Sequence, residues 1–442
     1  YDAMGNLLKT ILPNAYDALK DTPEQADEMP GEGYTYDSMN RPVAMTAPTG
    51  ETVQYIAYDA NGNVKKKVDG LRYTGNISAS TGTVYEYDGL GRAGRATDAL
   101  GGVSSTGYDI LGNVTSRTDA LGHTTGYEYN PDGTLAKVIY PDGGTVVFSY
   151  DLLGRMTSRT DQRGNTSDFE YNAFDKLKKE KDPYGNSITR KYDLKGNECA
   201  VTDKRGSATA VKYDALDRPA EKRIPLELDE TGNISYAVEN YVYDEAGNLI
   251  ATVKTGTKDP GSGRETAYSY YDNDLVRAES NNNGSSIAYA YDLNGNLTKK
   301  ETLREVVDGV SRYDIEKYTY DSMDRLLQSI RLIDADDLYN TSGRANLENL
   351  MGSEYPGMVK LITGYSYDIL GNKTGEIPPA GYGFAESDTA GRDRYATRYA
   401  YDELNRLVKV TKKYIGDSSE TTRDVYASYT YDAAGNRISE KD

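Results

Sequence analysis

A chain can only perform chemistry with side chains it possesses, and this one is sparing with nucleophiles and metal ligands. His123 is its single histidine and Cys199 its single cysteine. A Ser-His-Asp or Cys-His nucleophilic arrangement would have to be built on His123. That residue directly follows Asp119-Ala120-Leu121-Gly122, a turn-like stretch whose counterparts elsewhere are followed by Gly102, Gly144, Asn165, Asn186 and Ser207. It therefore reads as an exposed turn residue. One histidine and one cysteine cannot make a four-ligand zinc site, and Cys199 reads as an inert packing thiol. Carboxylates are plentiful, but a glycosidase needs one distinctive pair of them. Here the aspartates recur in register, which is what turns require. The expectation is a protein that is not an enzyme and uses no cofactor.

Two stretches, Asp59-Ala60-Asn61-Gly62-Asn63 and Asp292-Leu293-Asn294-Gly295-Asn296, have the oxygen-rich spacing of the first half of a calcium loop. They lack its distal glutamate and flanking helices, so both read as turns without metal. The same Asp-x-x-Gly-Asn pattern recurs at Asp109, Gly112 and Asn113 and at Asp432, Gly435 and Asn436. Aspartate can bond to nearby backbone N–H groups, while glycine and asparagine tolerate positive φ. Each such pattern therefore predicts a hairpin turn.

What must position these turns is the stretch before them. Tyr289-Ala290-Tyr291 and Tyr429-Thr430-Tyr431 place two tyrosines on one face of a strand. After the turn comes a second short strand, such as Val114-Thr115-Ser116-Arg117-Thr118, and then a second turn, such as Asp119-Ala120-Leu121-Gly122, Asp161-Gln162-Arg163-Gly164 or Asp182-Pro183-Tyr184-Gly185. The unit is a hairpin. Register tyrosines Tyr87, Tyr108, Tyr129, Tyr150, Tyr171, Tyr192 and Tyr213 stand 21 residues apart. The signature also occurs, at longer spacings, at Tyr1, Tyr36, Tyr58, Tyr243, Tyr270, Tyr291, Tyr320, Tyr367, Tyr401 and Tyr431, with a further Tyr16-Asp17. That makes about 17 units. The expected organisation is one repeat region over 1–442, regular over 87–213, irregular over 1–86 and 214–442, with an insertion at about 333–362. Within that insertion, 340–351 is expected to be a loop or a short helix.

Consecutive hairpins should zip into an all-β antiparallel ribbon. About 34 strands at roughly 4.8 Å each would run on the order of 160 Å, and a sheet so long has to curl. The expectation is a spiral β-sheet with space behind it rather than a solid globule. Composition agrees: 41 Tyr against 4 Phe and no Trp, 44 Gly, and 37% apolar residues overall. Tyrosine would do the packing that leucine does elsewhere. Tyr127, Tyr129, Tyr150, Tyr171 and Tyr192 are expected to form a ladder on one face, at roughly 0.2–1 kcal/mol per cross-strand pair.

The net charge of −18 disfavours nucleic acid and anionic membrane surfaces as partners. No apolar run of membrane-spanning length and no secretory leader is visible. The first residues, Tyr1-Asp2-Ala3-Met4-Gly5-Asn6, already lie inside a repeat, so the chain reads as a piece of something longer.

The repeated Tyr-Asp-x-x-Gly-Asn and Tyr-x-Tyr-Asp motifs resemble the YD repeats of bacterial Rhs and wall-associated proteins, similar to the shells of teneurins and toxin-complex proteins. The resemblance covers nearly the whole chain. It implies a spiral sheet closing around a C-terminal toxin or effector of the same parent chain, in a secreted or cell-surface bacterial protein. Neither the cleavage motif nor the toxin that commonly follows such repeats is in this sequence, so self-cleavage and toxicity are not carried over. The leading expectation is a non-catalytic shell segment. The alternative is an adhesin or filament subunit, binding surface glycans through its tyrosines or itself through open sheet edges.

Overall fold

A Tyr-x-Tyr stretch followed by Asp-x-x-Gly supplies a strand and then a turn, and the repetition of the two builds one kind of object. In the computed structural model the strands form a 33-stranded antiparallel sheet. The structure describes residues 1–15, 25, 28–228, 234–256, 259–334, 358–383, 389–414 and 423–441. Of the insertion expected at about 333–362, both ends continue paired strands, with Ile333 opposite Val359 and Asp334 opposite Met358. The remainder, including 340–351, lies outside the described residues, as does Tyr16-Asp17.

Two kinds of hairpin alternate. Across a first turn, the strand Thr145–Tyr150 pairs with Met156–Thr160, and the register slips by one between Ser149 and Tyr150, leaving Thr157 as an extra residue. The same slip recurs beside Tyr129, Tyr171, Tyr192 and Tyr213. Across a second turn, Met156–Thr160 pairs with Thr166–Tyr171 without any slip. These five first-turn hairpins thus each carry a β-bulge, which bends a strand and increases local twist.

The chain divides into two compact units. One comprises 107–117 and 123–288. Its strands are five or six residues long through Tyr213 and then lengthen, to 10 residues in Pro219–Leu228 and Ile234–Tyr243 and 12 in Asp259–Tyr270. Longer strands, then, absorb part of the wider spacing between register tyrosines. Along Thr166–Tyr171 the side chains alternate between exposed and half-buried, the pattern of a sheet with one wet face. Val138 and Val146 are the buried apolar residues among the described part of this unit.

The other unit comprises 1–106, 118–122 and 289–442. In it, stretches far apart in sequence meet along the edges where the turns lie. The Asn14 backbone N–H donates to Asn294 Oδ1 at 2.8 Å, and the Leu293 N–H donates to Asn14 Oδ1 at 2.9 Å. Arg72 pairs with Asp69 and donates to the Asp402 carbonyl. A cleft of about 120 Å³ is lined by Asp98, Leu100 and Gly102 from one stretch and by Leu404, Arg406 and Asp432 from the other. In each place the second-turn edge of the early stretch abuts first turns of the late one. Val68, Leu332 and Val359 are fully buried here. A local cover is added by the 3-10 segment Pro379–Gly383 and the short helix Thr389–Asp393. Tyr382 lies so close over Gly364 that a Cβ there would meet its hydroxyl at 1.9 Å.

Candidate functional site

The feature that repeats, and on which any function has to rest, is the first turn with its register tyrosine. In the turn opened by Asp109, the Gly112 N–H donates back to the Asp109 carbonyl at 3.2 Å and the Asp109 N–H to the Asn113 carbonyl at 3.0 Å. Gly112 has φ +93°, a conformation that costs glycine nothing. The Asp109 carboxylate closes the turn from above, accepting from the N–H groups of Leu111 and Asn113 at 2.9 and 2.8 Å and from Asn113 Nδ2 at 2.9 Å. Asp292, Gly295 and Asn296 repeat this geometry, as do Asp432, Gly435 and Asn436. The asparagine after glycine is thus a side-chain donor. It is not itself among the positive-φ residues.

Where glycine is missing from the turn, the residue in its place is Asn40, Asp175, Asp217, Asp274, Asp324 or Asn405, each with φ between 58° and 63°. These are the side chains that best tolerate that conformation. Several also receive a bond from the preceding turn: Asn197 Nδ2 donates to Asp217, Asn248 Nδ2 to Asp274 and Asn296 Nδ2 to Asp324, at 2.9, 2.9 and 2.6 Å.

Where arginine follows the turn, it ties one unit to the next. Arg155 Nε donates to Asp151 Oδ2 at 2.7 Å, while its Nη1 reaches Asp175 Oδ1 at 2.7 Å and its guanidinium lies 5.0 Å from the centre of the Tyr171 ring. Arg41, Arg218, Arg325 and Arg406 sit in the same way over Tyr58, Tyr243, Tyr367 and Tyr431. The planar fork suits this double task, which a lysine could not reproduce.

The tyrosine completes the joint. Tyr129, Tyr150, Tyr171, Tyr192 and Tyr213 donate their hydroxyls to the carbonyls of Val114, Leu135, Met156, Leu177 and Glu198, each 15 residues back, at 2.8–3.0 Å. Tyr36, Tyr58, Tyr87, Tyr243, Tyr270, Tyr320, Tyr367, Tyr401 and Tyr431 do the same at larger sequence separations and 2.7–3.0 Å. The acceptors Leu135, Met156, Leu177 and Glu198 each open the strand after the previous first turn, directly before the bulged residue. A bulge breaks the backbone ladder locally, and a half-buried carbonyl left there needs a donor. The tyrosine supplies it. Tyr108 and Tyr291 end the strands Val103–Tyr108 and Ser286–Tyr291 at the equivalent position.

The electrostatics follow from this geometry. Hydrogen bonds from Asn113 hold the Asp109 carboxyl below its ordinary value, and those from Arg155 do so for Asp151. Lys204 lowers Asp182 to about 2. Burial raises the Tyr213 hydroxyl, as does nearby Glu198. Burial and the bond to Glu239 push Tyr241 to about 12.

His123 lies exposed at the second turn, and Cys199 is the bulged residue between Glu198 and Ala200, half-buried and free. Among the described residues no group of three or more His, Cys, Asp and Glu side chains could hold a metal ion. No helix among them is long and apolar enough to cross a membrane.

The RHS repeat family model matches residues 108–145 and 150–187, which contain these bulged hairpins. Those two stretches are RHS repeats. No curated protein matches its sequence. Among solved structures, the chain is similar to a TcdB2–TccC3 complex with 15% identity and a TM-score of 0.64, covering 100% of this chain and 25% of the other. It is also similar to a Tc holotoxin pore of Photorhabdus luminescens, with 14% identity, a TM-score of 0.62, and 100% and 25% coverage. A TcdB2–TccC3 structure without a hypervariable C-terminal region matches with 15% identity, a TM-score of 0.62 and the same coverage. The chain spans about a quarter of the length of these structures, and the likeness is one of fold.

Proposed function

We propose that the RHS-repeat region 1–442 acts as one non-catalytic wall that shields a C-terminal toxin or effector of a longer, secreted or surface-delivered bacterial parent protein. The observation that carries this reading is the edge-to-edge seating of turns in the unit formed by 1–106, 118–122 and 289–442. Bonds there join residues about 280 to 330 positions apart, as between Asn14 and Asn294 and between Arg72 and Asp402. A sheet whose laps meet in this way makes a continuous barrier, and its polar groups are spent inside the barrier. The Asp-Arg-Tyr joints use their carboxylates, guanidinium groups and hydroxyls on one another and on backbone, which leaves them nothing to direct at a substrate. Likeness in fold to Tc complexes, one of them named as lacking a hypervariable C-terminal region, supports the idea of a C-terminal cargo behind the wall.

The test is limited proteolysis of the parent protein beside its isolated C-terminal domain. Shielding predicts that the domain survives much longer within the parent. Equal rates of digestion would end the proposal.

A further inference from the structure

The chain holds 41 tyrosines, yet among the described residues a single aromatic pair is stacked. It is Tyr55 with Tyr73, their ring centroids 3.6 Å apart and their planes inclined by 16°. The spacing of the sheet keeps the register tyrosines from meeting in this way. Consecutive ones are two strands removed from each other, roughly 10 Å. Tyr55 lies outside that row. It stands three residues before Tyr58 and so on the opposite face of the strand Thr52–Tyr58.

Tyr73 is brought there by an excursion between the strands Val64–Asp69 and Thr83–Tyr87. Asp69 caps the 3-10 segment Gly70–Arg72, accepting from the Arg72 N–H at 3.2 Å. Gly70 presses so closely on the start of the other strand that a Cβ would meet the Thr52 carbonyl oxygen at 1.8 Å. On the far side, the Tyr73 hydroxyl donates to the Gly75 carbonyl at 3.0 Å. The ring is thus held from two sides, and nearer to its neighbour than the roughly 4.5–7 Å usual for aromatic pairs. Leu71, Thr74 and Gly75 around it are exposed, so the pair lies close to solvent.

We propose that Tyr55 and Tyr73 are a site of oxidative cross-linking, joined as dityrosine by hydrogen peroxide acting through a haem peroxidase. One peroxide is reduced to two waters, taking one electron and one proton from each of the two hydroxyls. The resulting phenoxyl radicals couple through one new carbon–carbon bond between ring positions ortho to oxygen. Each ortho hydrogen then moves as a proton to the oxygen of its own ring, which restores both hydroxyls. Stacking at 3.6 Å holds the ring carbons near the roughly 3–3.5 Å of a near-attack arrangement. The link reaches beyond its own loop, because Arg72, next to Tyr73, donates to the Asp402 carbonyl. A covalent tie at Tyr73 therefore fastens the residue that seats the early stretch on the late one. The reaction needs no cargo, so the protease-shielding result does not bear on it.

Treatment of the whole 442-residue chain, in dilute solution, with hydrogen peroxide and a haem peroxidase tests the proposal, with peptides mapped by mass spectrometry. The peptides holding Tyr55 and Tyr73 should be found joined and lighter by two hydrogen atoms. This link should exceed that of every other tyrosine pair at least about tenfold. Tyr55→Phe and Tyr73→Phe keep both rings, so each should retain the circular-dichroism spectrum and lose the link. After oxidation, the urea midpoint of the unaltered chain should stand above that of either variant treated alike. Tyr55 and Tyr73 remaining unlinked, or other pairs linking as readily, would overturn the proposal. So would a joined pair that leaves the midpoint equal to those of the variants.

Discussion

The Tyr171 hydroxyl donates to the Met156 carbonyl at 3.0 Å, across the gap that the β-bulge after Met156 leaves in the ladder. Tyr171→Phe keeps the ring and removes the donor, so a half-buried carbonyl loses its partner. The expected cost is about 1 kcal/mol, read as a lower urea midpoint. Tyr150→Phe and Tyr192→Phe should each cost about the same, because their hydroxyls make the same contact with Leu135 and Leu177. No change in any of the three would mean that the carbonyls are satisfied by water.

Gly154 has φ +77°, and a Cβ built on it would meet nothing within 4 Å. Its requirement is therefore one of backbone conformation, not of space. Gly154→Val should destabilise by about 1–3 kcal/mol. Gly154→Asn should cost much less, since Asn40 and Asn405 hold the same conformation in equivalent turns. Denaturation midpoints of the two variants, compared side by side, check the difference.

Arg218 bonds Asp214 through Nε at 2.8 Å and lies 4.4 Å from the centre of the Tyr243 ring. Arg218→Lys keeps the charge but loses the fork and the stacking. We expect the amides of the next turn, 244–247, to exchange hydrogen faster, with a stability loss of about 0.5–1 kcal/mol. An exchange pattern identical to that of the parent would show that the guanidinium adds only its charge.

Acid should loosen the turns. The carboxyls of Asp109, Asp151 and Asp161 sit below their ordinary values because Asn113, Arg155 and Asn165 bond their charged forms. A folded-state value lowered in this way gives stability that is full above the unfolded value, near 3.9, and is lost as pH falls through the folded one. The melting temperature should therefore respond little to these groups between pH 7 and 5 and fall steeply below about 4. Asp182, lowered to about 2 chiefly by Lys204, should hold longest. Asp182→Asn should flatten the most acidic part of the curve.

The hairpins were legible because their signal is local. Tyr-x-Tyr fixes a face, and Asp-x-x-Gly fixes a turn within a few residues, so strand positions such as Ser286–Tyr291 could be read directly from the sequence. The turns lacking glycine were harder to place, since Asp175 and Asp217 look like ordinary acidic residues until their positive φ is seen. Their signal was available: Asp or Asn stands at the glycine position whenever glycine is absent. The bulge was not legible, because the slip at Thr157 comes from how two strands pair and not from the type of residue there. For the same reason the tyrosine hydroxyl's partner could not be foreseen. The expected ladder concerned rings, whereas Tyr129, Tyr150, Tyr171 and Tyr192 are anchored by hydroxyl to backbone. The seating of Arg72 on Asp402 joins residues 330 positions apart and has no sequence periodicity to reveal it.

The direction of the tyrosine contact has a kinetic consequence. Each hydroxyl contact described above reaches back to the preceding hairpin, as Tyr192 does to Leu177. A polypeptide emerging from the ribosome amino end first therefore fastens each completed hairpin only when its successor arrives. Assembly then works as a ratchet, with one loose tooth at the growing tip and every earlier one already latched.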